Sequence, residues 1–205
     1  MEGQRYLLDL LMAYEKGYEM RTDKTDAPKR HYFKVKDDLP RVQVALGFLH
    51  GIISIGECSS LLDVGSGRGV FLFPLLRDFP SLNVTSLDVL PHRVELLQDV
   101  SAGGFPNLTA ILDDICTTQL PDKSFDVVTM LEVMEHIPDT VAVVRNAVRL
   151  ARHYVLVSVP SKPDDNPEHI HLFTQAKLKE LFLKAGCESI KFSGVNGHII
   201  AIIKL

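Results

Sequence analysis

From Ser60 to the end of the chain, short runs of Val, Ile and Leu alternate with amphipathic stretches, and the last two apolar runs stand only four residues apart. SLLDVG, LNVTSLDV, NLTAILDD, FDVVTMLEV and HYVLVSVP read as strands. GVFLFPLLRDF, PHRVELLQDVSA, DTVAVVRNAVRLA and TQAKLKELFLKAG read as the helices around them. Strands without polar alternation are buried on both faces, which helices flanking a mostly parallel sheet produce. The expected class is therefore α/β, a doubly wound sheet. CESIKFS and HIIAIIKL are separated by GVNG, too short for a helical crossover, so they are expected to pair as an antiparallel hairpin.

The first third of the chain differs. Apolar residues at helical spacing (Tyr6, Leu7, Leu10, Leu11, Tyr14, Tyr18) predict a helix over residues 4–20. A second helix is expected over residues 38–55, starting at Asp38 with Pro40 in its first turn. Between them RTDKTDAPKRHYFKVKD is polar and charged, a solvated loop or a segment that orders over a ligand. Residues 1–57 are thus expected to be a helical cap on a core domain of residues 58–205.

The net charge of −4 over 205 residues gives no general attraction to nucleic acid or acidic membrane. No stretch approaches the 18 or so consecutive apolar residues of a membrane span, and no signal peptide is recognisable, so a cytoplasmic protein without a membrane partner is expected. Cys58, Cys116 and Cys187 are odd in number and far apart, and read as reduced core thiols.

In doubly wound sheets the ligand lies at the carboxyl ends of the strands, after the first strand. There LLDVGSGRG carries Gly65, Gly67 and Gly69, where side chains would obstruct a ligand approaching the main chain. Asp63 can accept from a ligand ammonium or fix the loop. A dinucleotide fingerprint needs glycine at position 70, where Val70 stands, so the loop suits a nucleoside better than NAD. Asp88, closing the second strand, is placed to take both ribose hydroxyls or to cap the helix ahead of Pro91.

LLDVGSGRG, SLDVLPHRVE, AILDDICTTQLPDKSFDVV, LEVMEHIPD and HLFTQAKLKELFLKAGC, in this order, resemble the class I S-adenosylmethionine-dependent methyltransferases over residues 58–205. The resemblance implies a Rossmann-like, seven-stranded sheet with the terminal hairpin, and S-adenosyl-L-methionine as methyl donor. It assigns Asp63, Gly65, Gly67 and Gly69 to the loop around the methionine part, and Asp88 to the ribose with Val89 beside the adenine. It assigns Asp114 to the adenine amino group, with Asp113 as the competing position, Ile115 to the ring face, and Leu131 to the strand end beside the cofactor.

After the fourth strand, LEVMEHIPD places Glu132, Glu135 and His136 at i, i+3 and i+4, which would share one face if helical. Three readings stand: acids at a helix start; His136 as general base for a substrate hydroxyl; or Glu132, Glu135 and His136 holding Mg²⁺ or Mn²⁺. The E-x-x-E-H arrangement is similar to that of small-RNA 2′-O-methyltransferases and ubiquinone-pathway O-methyltransferases, which implies a further metal-ligating histidine. PEHIHLFT offers His169 and His171, and His169 suits the spacing better. PSKPDDNPEHIH is expected to form one wall of the acceptor pocket.

Methyl transfer from a sulfonium needs alignment and removal of the nucleophile's proton, so the absence of a nucleophile elbow is no obstacle. The expected function is O-methylation of a small-molecule hydroxyl. An RNA ribose 2′-O-methyltransferase is the alternative, with residues 29–41 interleaving bases and aromatics. A non-catalytic S-adenosylmethionine-binding protein is the other; Val70 and the hairpin disfavour a nicotinamide oxidoreductase.

Overall fold

The structure, a computed structural model, describes residues 2–20, 34–36 and 38–205. The charged stretch read as a loop at 21–37 lies outside them for residues 21–33 and 37, as do Lys29 to Phe33 of the basic and aromatic stretch.

Seven strands form one sheet: β1 (Ser60–Val64), β2 (Asn83–Asp88), β3 (Leu108–Leu112), β4 (Phe125–Leu131), β5 (Ala151–Pro160), β6 (Ser189–Val195) and β7 (His198–Lys204). Their order is β3-β2-β1-β4-β5-β7-β6. β1 to β5 pair in parallel, while β7 runs antiparallel to both β5 and β6. The expected hairpin is present, with Val195 paired to His198 across a two-residue turn. Its return strand, β7, is the one that inserts beside β5. The helices are α1 (Glu2–Met20), α2 (Pro40–Ser54), α3 (Leu72–Asp78), α4 (Pro91–Gly104), α5 (Thr140–Leu150) and α6 (Gln175–Lys184). α2 begins at Pro40 behind Leu39, which makes no side-chain cap, so Asp38 does not start it as expected.

The apolar runs serve both faces. Leu61, Val127 and Leu156 pack beneath α1 to α4, whereas their neighbours Leu62, Val128 and Val155 pack beneath α5 and α6. Period-two geometry makes this unavoidable: an all-apolar strand buries itself only between two layers. α1 crosses α4 at backbone contact, since a Cβ at Gly103 would stand 1.6 Å from the Ala13 carbonyl oxygen and one at Gly17 1.8 Å from that of Asp99. Asp126 pins the starts of β1 and β4 together. Its Oδ2 accepts from the amides and hydroxyls of Ser59 and Ser60 at 2.8–3.0 Å, and its Oδ1 from Arg152 at 2.8 Å.

Cys58 and Cys187 are buried free thiols as expected; Cys116 is half-buried in the wall of a cavity, a correction to its reading as a core residue. No helix among the described residues is long and apolar enough to cross a membrane.

Candidate active site

β1 and β4 are neighbours although β2 and β3 lie between them in the chain, so the connections leaving β1 and β4 diverge to opposite faces and open a crevice. A cavity of about 910 Å³ lies there, lined by the turn after β1, the end of β2, the β3–β4 connection and the segment after β4.

The turn is built around Asp63, only 2% exposed. Its Oδ2 accepts from Ser66 Oγ at 2.6 Å and its Oδ1 from Thr129 Oγ1 at 2.7 Å, so of its two expected roles the geometry provides loop fixing. Burial pushes this carboxyl up to about 6, against those two hydrogen bonds and with the charge of Asp88 adding to the rise. Gly65, Gly67 and Gly69 have φ of 67°, 58° and 81°, the left-handed region. Gly69 is required by packing, because a Cβ would lie 2.0 Å from the Phe73 ring. Gly67 is different: the nearest atom to its Cβ position is 3.8 Å away, and its bare backbone faces the cavity.

Asp88 ends β2 at 4% exposure. Its Oδ1 accepts from the Leu90 amide at 3.0 Å, while Oδ2 makes no hydrogen bond among the described residues. Arg93 at 3.5 Å is a charge contact beyond hydrogen-bond reach. The helix cap at α4 is Leu90 itself, without a side-chain bond, so the acid is left half-used at the cavity edge. Val89, 56% exposed, and buried Ile115 supply apolar wall on either side.

Between the two adjacent acids the structure distinguishes clearly. Asp113 is used locally, accepting from Thr118 Oγ1 and from the Asp114 amide, whereas Asp114 lines the cavity with Oδ1 accepting from the Cys116 amide at 2.8 Å. The loop carrying them is held by Asn146, which donates to the carbonyls of Ile115 and Cys116, and by Arg149, which donates to those of Thr118 and Leu120. Sequence reasoning missed both; polar residues on the buried side of an otherwise apolar helix, α5, were their signal.

After β4 the chain departs from the expected helix. Leu131 ends β4 and lines a smaller hollow behind the glycine turn. Glu132 has φ 60°, so Glu132, Glu135 and His136 cannot share one helical face; a single 3-10 turn covers Met134–His136. Glu132 turns toward the sheet, accepting from Ser158 Oγ at 2.6 Å and lying 3.0 Å from His198 Nε2. It therefore leaves the expected four-residue metal set. Glu135, His136 and His169 remain together, with one donor atom from each within 4.8 Å of the others.

Backbone bonds stitch this cluster into place: the amides of Ile170 and His171 donate to the Glu135 carbonyl at 2.9 and 3.2 Å. His136 Nδ1 lies 3.0 Å from the Glu168 carbonyl, His171 Nε2 3.1 Å from that of Ile137, and His169 Nδ1 2.8 Å from Asp164 Oδ2. His171 is thus a structural tie, while Asp164, unforeseen from sequence, orients His169. Glu135 is completely buried and neither of its oxygens has a hydrogen-bond partner among the described residues. Burial pushes its carboxyl up to about 8, with the charges of Glu132 and Asp164 adding to the rise. Glu168 and Ile170 do line the cavity, so the segment after β5 forms part of its wall.

A doubly wound sheet closed by an antiparallel hairpin, with a nucleoside-sized crevice at its switch point, defines the class I methyltransferase fold. Residues 62–153 match the family model described as a methyltransferase domain. The 2-methyl-6-phytyl-1,4-hydroquinone methyltransferase of Synechocystis sp. is 26% identical over 150 residues, covering 68% of this chain and 46% of that protein. A ubiquinone biosynthesis O-methyltransferase of Pseudomonas paraeruginosa is 30% identical over 93 residues, 45% of this chain and 40% of that protein. The chain spans less than half the length of these two relatives. A SAM-dependent methyltransferase from Aquifex aeolicus superposes with a TM-score of 0.62 over 93% of this chain and 97% of its own, and at 18% identity this establishes the fold. The chain thus resembles methyltransferases in sequence over residues 62–153 and shares their fold.

Proposed function

We propose that this chain binds S-adenosylmethionine across the switch point and methylates a hydroxyl group of a small molecule, with His136 as general base. The observation that carries the reading is the His136 ring in the cavity wall, with Nδ1 against the Glu168 carbonyl. A carbonyl oxygen only accepts, so in the neutral ring Nδ1 bears the hydrogen and Nε2 keeps its lone pair.

The residues present suit the cofactor. Asp88 Oδ2 is a buried oxygen without a hydrogen bond among the described residues, a deficit that a ribose diol would satisfy. Val89 and Ile115 offer apolar faces to a purine, Asp114 an acceptor for its amino group, and Gly67 a bare backbone for the thioether end. When bound, S-adenosylmethionine supplies an electrophilic methyl group on a sulfonium. The chain must then hold the acceptor oxygen in line and take its proton. Alignment provides most of the acceleration, and a positioned base contributes typically 10²–10⁴-fold. The O-methylation named for the ubiquinone-biosynthesis relative supports a hydroxyl as acceptor.

Glu135, His136 and His169 favour a second reading, in which they hold a divalent cation. A fully buried carboxyl group whose oxygens have no hydrogen-bond partner among the described residues, beside two imidazoles, is a donor set suited to Mn²⁺ more than to Mg²⁺. A cation there would polarise acceptor oxygens. The two readings use His136 Nε2 differently and exclude each other at that atom.

A screen of phenolic and aliphatic alcohols with methyl-labelled S-adenosylmethionine, run with chelator and with added Mn²⁺, tests both. Turnover that survives the chelator supports the base. Turnover that requires Mn²⁺, together with loss of Mn²⁺ binding in Glu135→Gln, supports the cation. Protein that binds S-adenosylhomocysteine yet methylates only nitrogen or carbon acceptors rejects O-methylation.

A further inference from the structure

The segment after β5 returns to the cavity through a turn in which each polar side chain supports the next. Asp164 Oδ1 accepts from the Asn166 amide at 3.1 Å, and Asn166 Oδ1 accepts from the Glu168 amide at 3.1 Å. The Asn166 carbonyl accepts from the His169 amide at 3.0 Å, with Pro167 second in that turn, a place proline favours. Asp and Asn side chains that bond the backbone two residues on give a segment a defined shape without helix or strand. Here the shape delivers one group: the Glu168 carbonyl, 3.0 Å from His136 Nδ1.

The same carboxylate acts a second time. Asp164 Oδ2 lies 2.8 Å from His169 Nδ1, and the His136 and His169 rings stand edge to face with centroids 4.8 Å apart. A carboxylate, like a carbonyl, only accepts, so in the neutral rings both Nδ1 atoms carry the hydrogen and both Nε2 atoms keep a lone pair. The Asp164 side chain is 44% exposed and that of His169 18%, so the acid can be replaced without opening the core. Beyond the turn, the Ile170 and His171 amides anchor the segment to the Glu135 carbonyl without help from Asp164.

We propose that Asp164 is a positioning residue for methyl transfer: one oxygen sets the tautomer of His169 directly, and the other sets that of His136 through Asn166 and the Glu168 carbonyl. This rests on the hydroxyl-methylation reading, and it serves both forms of it, since a general base and a cation ligand each need the lone pair on Nε2. A ring with its hydrogen on Nε2 could neither take a proton there nor bind a cation. Asp164 does not line the cavity, so its effect on the chemistry passes through the two imidazoles.

Imidazole nitrogen–proton correlation spectra of the full chain at about pH 8, where an ordinary imidazole is neutral, read both tautomers without cofactor or acceptor. The signal lost in His136→Asn and the one lost in His169→Asn identify the two rings. Wild type is expected to carry the hydrogen on Nδ1 in both. Asp164→Asn keeps an oxygen for the Asn166 amide but turns an NH₂ donor toward His169, so His169 alone should move its hydrogen to Nε2. Asp164→Ala should lose the Nδ1 preference in both rings. Its kcat on a hydroxyl acceptor is expected to fall by about 10- to 100-fold, while affinity for S-adenosylhomocysteine stays within about twofold. Tautomers unchanged in Asp164→Ala, or cofactor affinity falling in step with kcat, overturn the positioning role. Wild type that shows the expected tautomers yet methylates no hydroxyl compound rejects the function reading instead, and the spectra still decide what Asp164 does to the rings.

Discussion

His136 Nδ1 lies 3.0 Å from the carbonyl oxygen of Glu168, and this contact between the segments after β4 and β5 decides which ring nitrogen is free to act. The bond also holds the ring in the cavity wall, so the imidazole is positioned by a neighbouring loop and not only by its own 3-10 turn.

Replacing His136 should therefore separate chemistry from binding. His136→Asn keeps an amide group that can donate to Glu168 but removes the base. Its kcat on a hydroxyl acceptor is expected to fall by about 10²-fold or more. Affinity for S-adenosylhomocysteine should stay within about threefold, because no cofactor contact is assigned to this ring. Single-turnover kinetics beside calorimetry would check the split; equal losses in both would show that His136 serves binding.

Asp88 is expected to trade stability for binding. One of its oxygens is buried without a hydrogen bond among the described residues, so Asp88→Asn relieves that burial at the loss of the charge contact to Arg93, while the amide oxygen can still accept from Leu90. Melting temperature should hold or rise. Affinity for S-adenosylhomocysteine should drop by about 10- to 100-fold, one charge-assisted hydrogen bond of roughly 1.5–3 kcal/mol. A lower melting temperature with unchanged affinity would assign Asp88 to the fold alone.

Two buried aspartates should give opposite pH dependences. For Asp126, burial alone would raise the carboxyl, but hydrogen bonds from Ser59, Ser60 and Arg152 outweigh it and hold it below the usual range. Its contribution is present above the ordinary aspartate value near 4 and fades as pH falls below it. Asp126→Ala should lose about 2–3 kcal/mol at pH 7, and less in acid. Asp63 is raised to about 6, so its ionisation weakens the fold as pH climbs from about 4 through 6. Asp63→Asn should lack that decline. Urea titrations between pH 4 and 8 would show both signs.

The glycine turn should tolerate alanine unequally. At Gly69 both the φ of 81° and the 2.0 Å approach of the Phe73 ring oppose a Cβ, so Gly69→Ala is expected to cost well over the roughly 1–2 kcal/mol of left-handed strain alone. Gly67→Ala meets only ordinary van der Waals contacts and should cost only that strain, yet weaken S-adenosylhomocysteine by intruding on the cavity. Chemical denaturation and calorimetry on the pair would reveal a shared response if both glycines served only packing.

The sequence by itself determined the layers and the switch point. Runs such as LLDV and VVTML are apolar at every step because each neighbour pair, Leu61 and Leu62 or Val127 and Val128, buries its members on opposite faces, and that pattern is local. The glycines at 65, 67 and 69 and the acid at 88 were legible for the same reason, since backbone conformation and strand ends are written in adjacent residues.

Tertiary structure alone decided what the acids do. The positive φ at Glu132 swings its carboxylate toward Ser158 and His198, on strands β5 and β7, and leaves Glu135 buried beside His169 from another loop. Arg41 and Asn146 also meet partners far along the chain, Glu132 and Ile115. Side-chain direction at a strained backbone position depends on partners that only the folded sheet brings near, and no spacing rule along the chain encodes them.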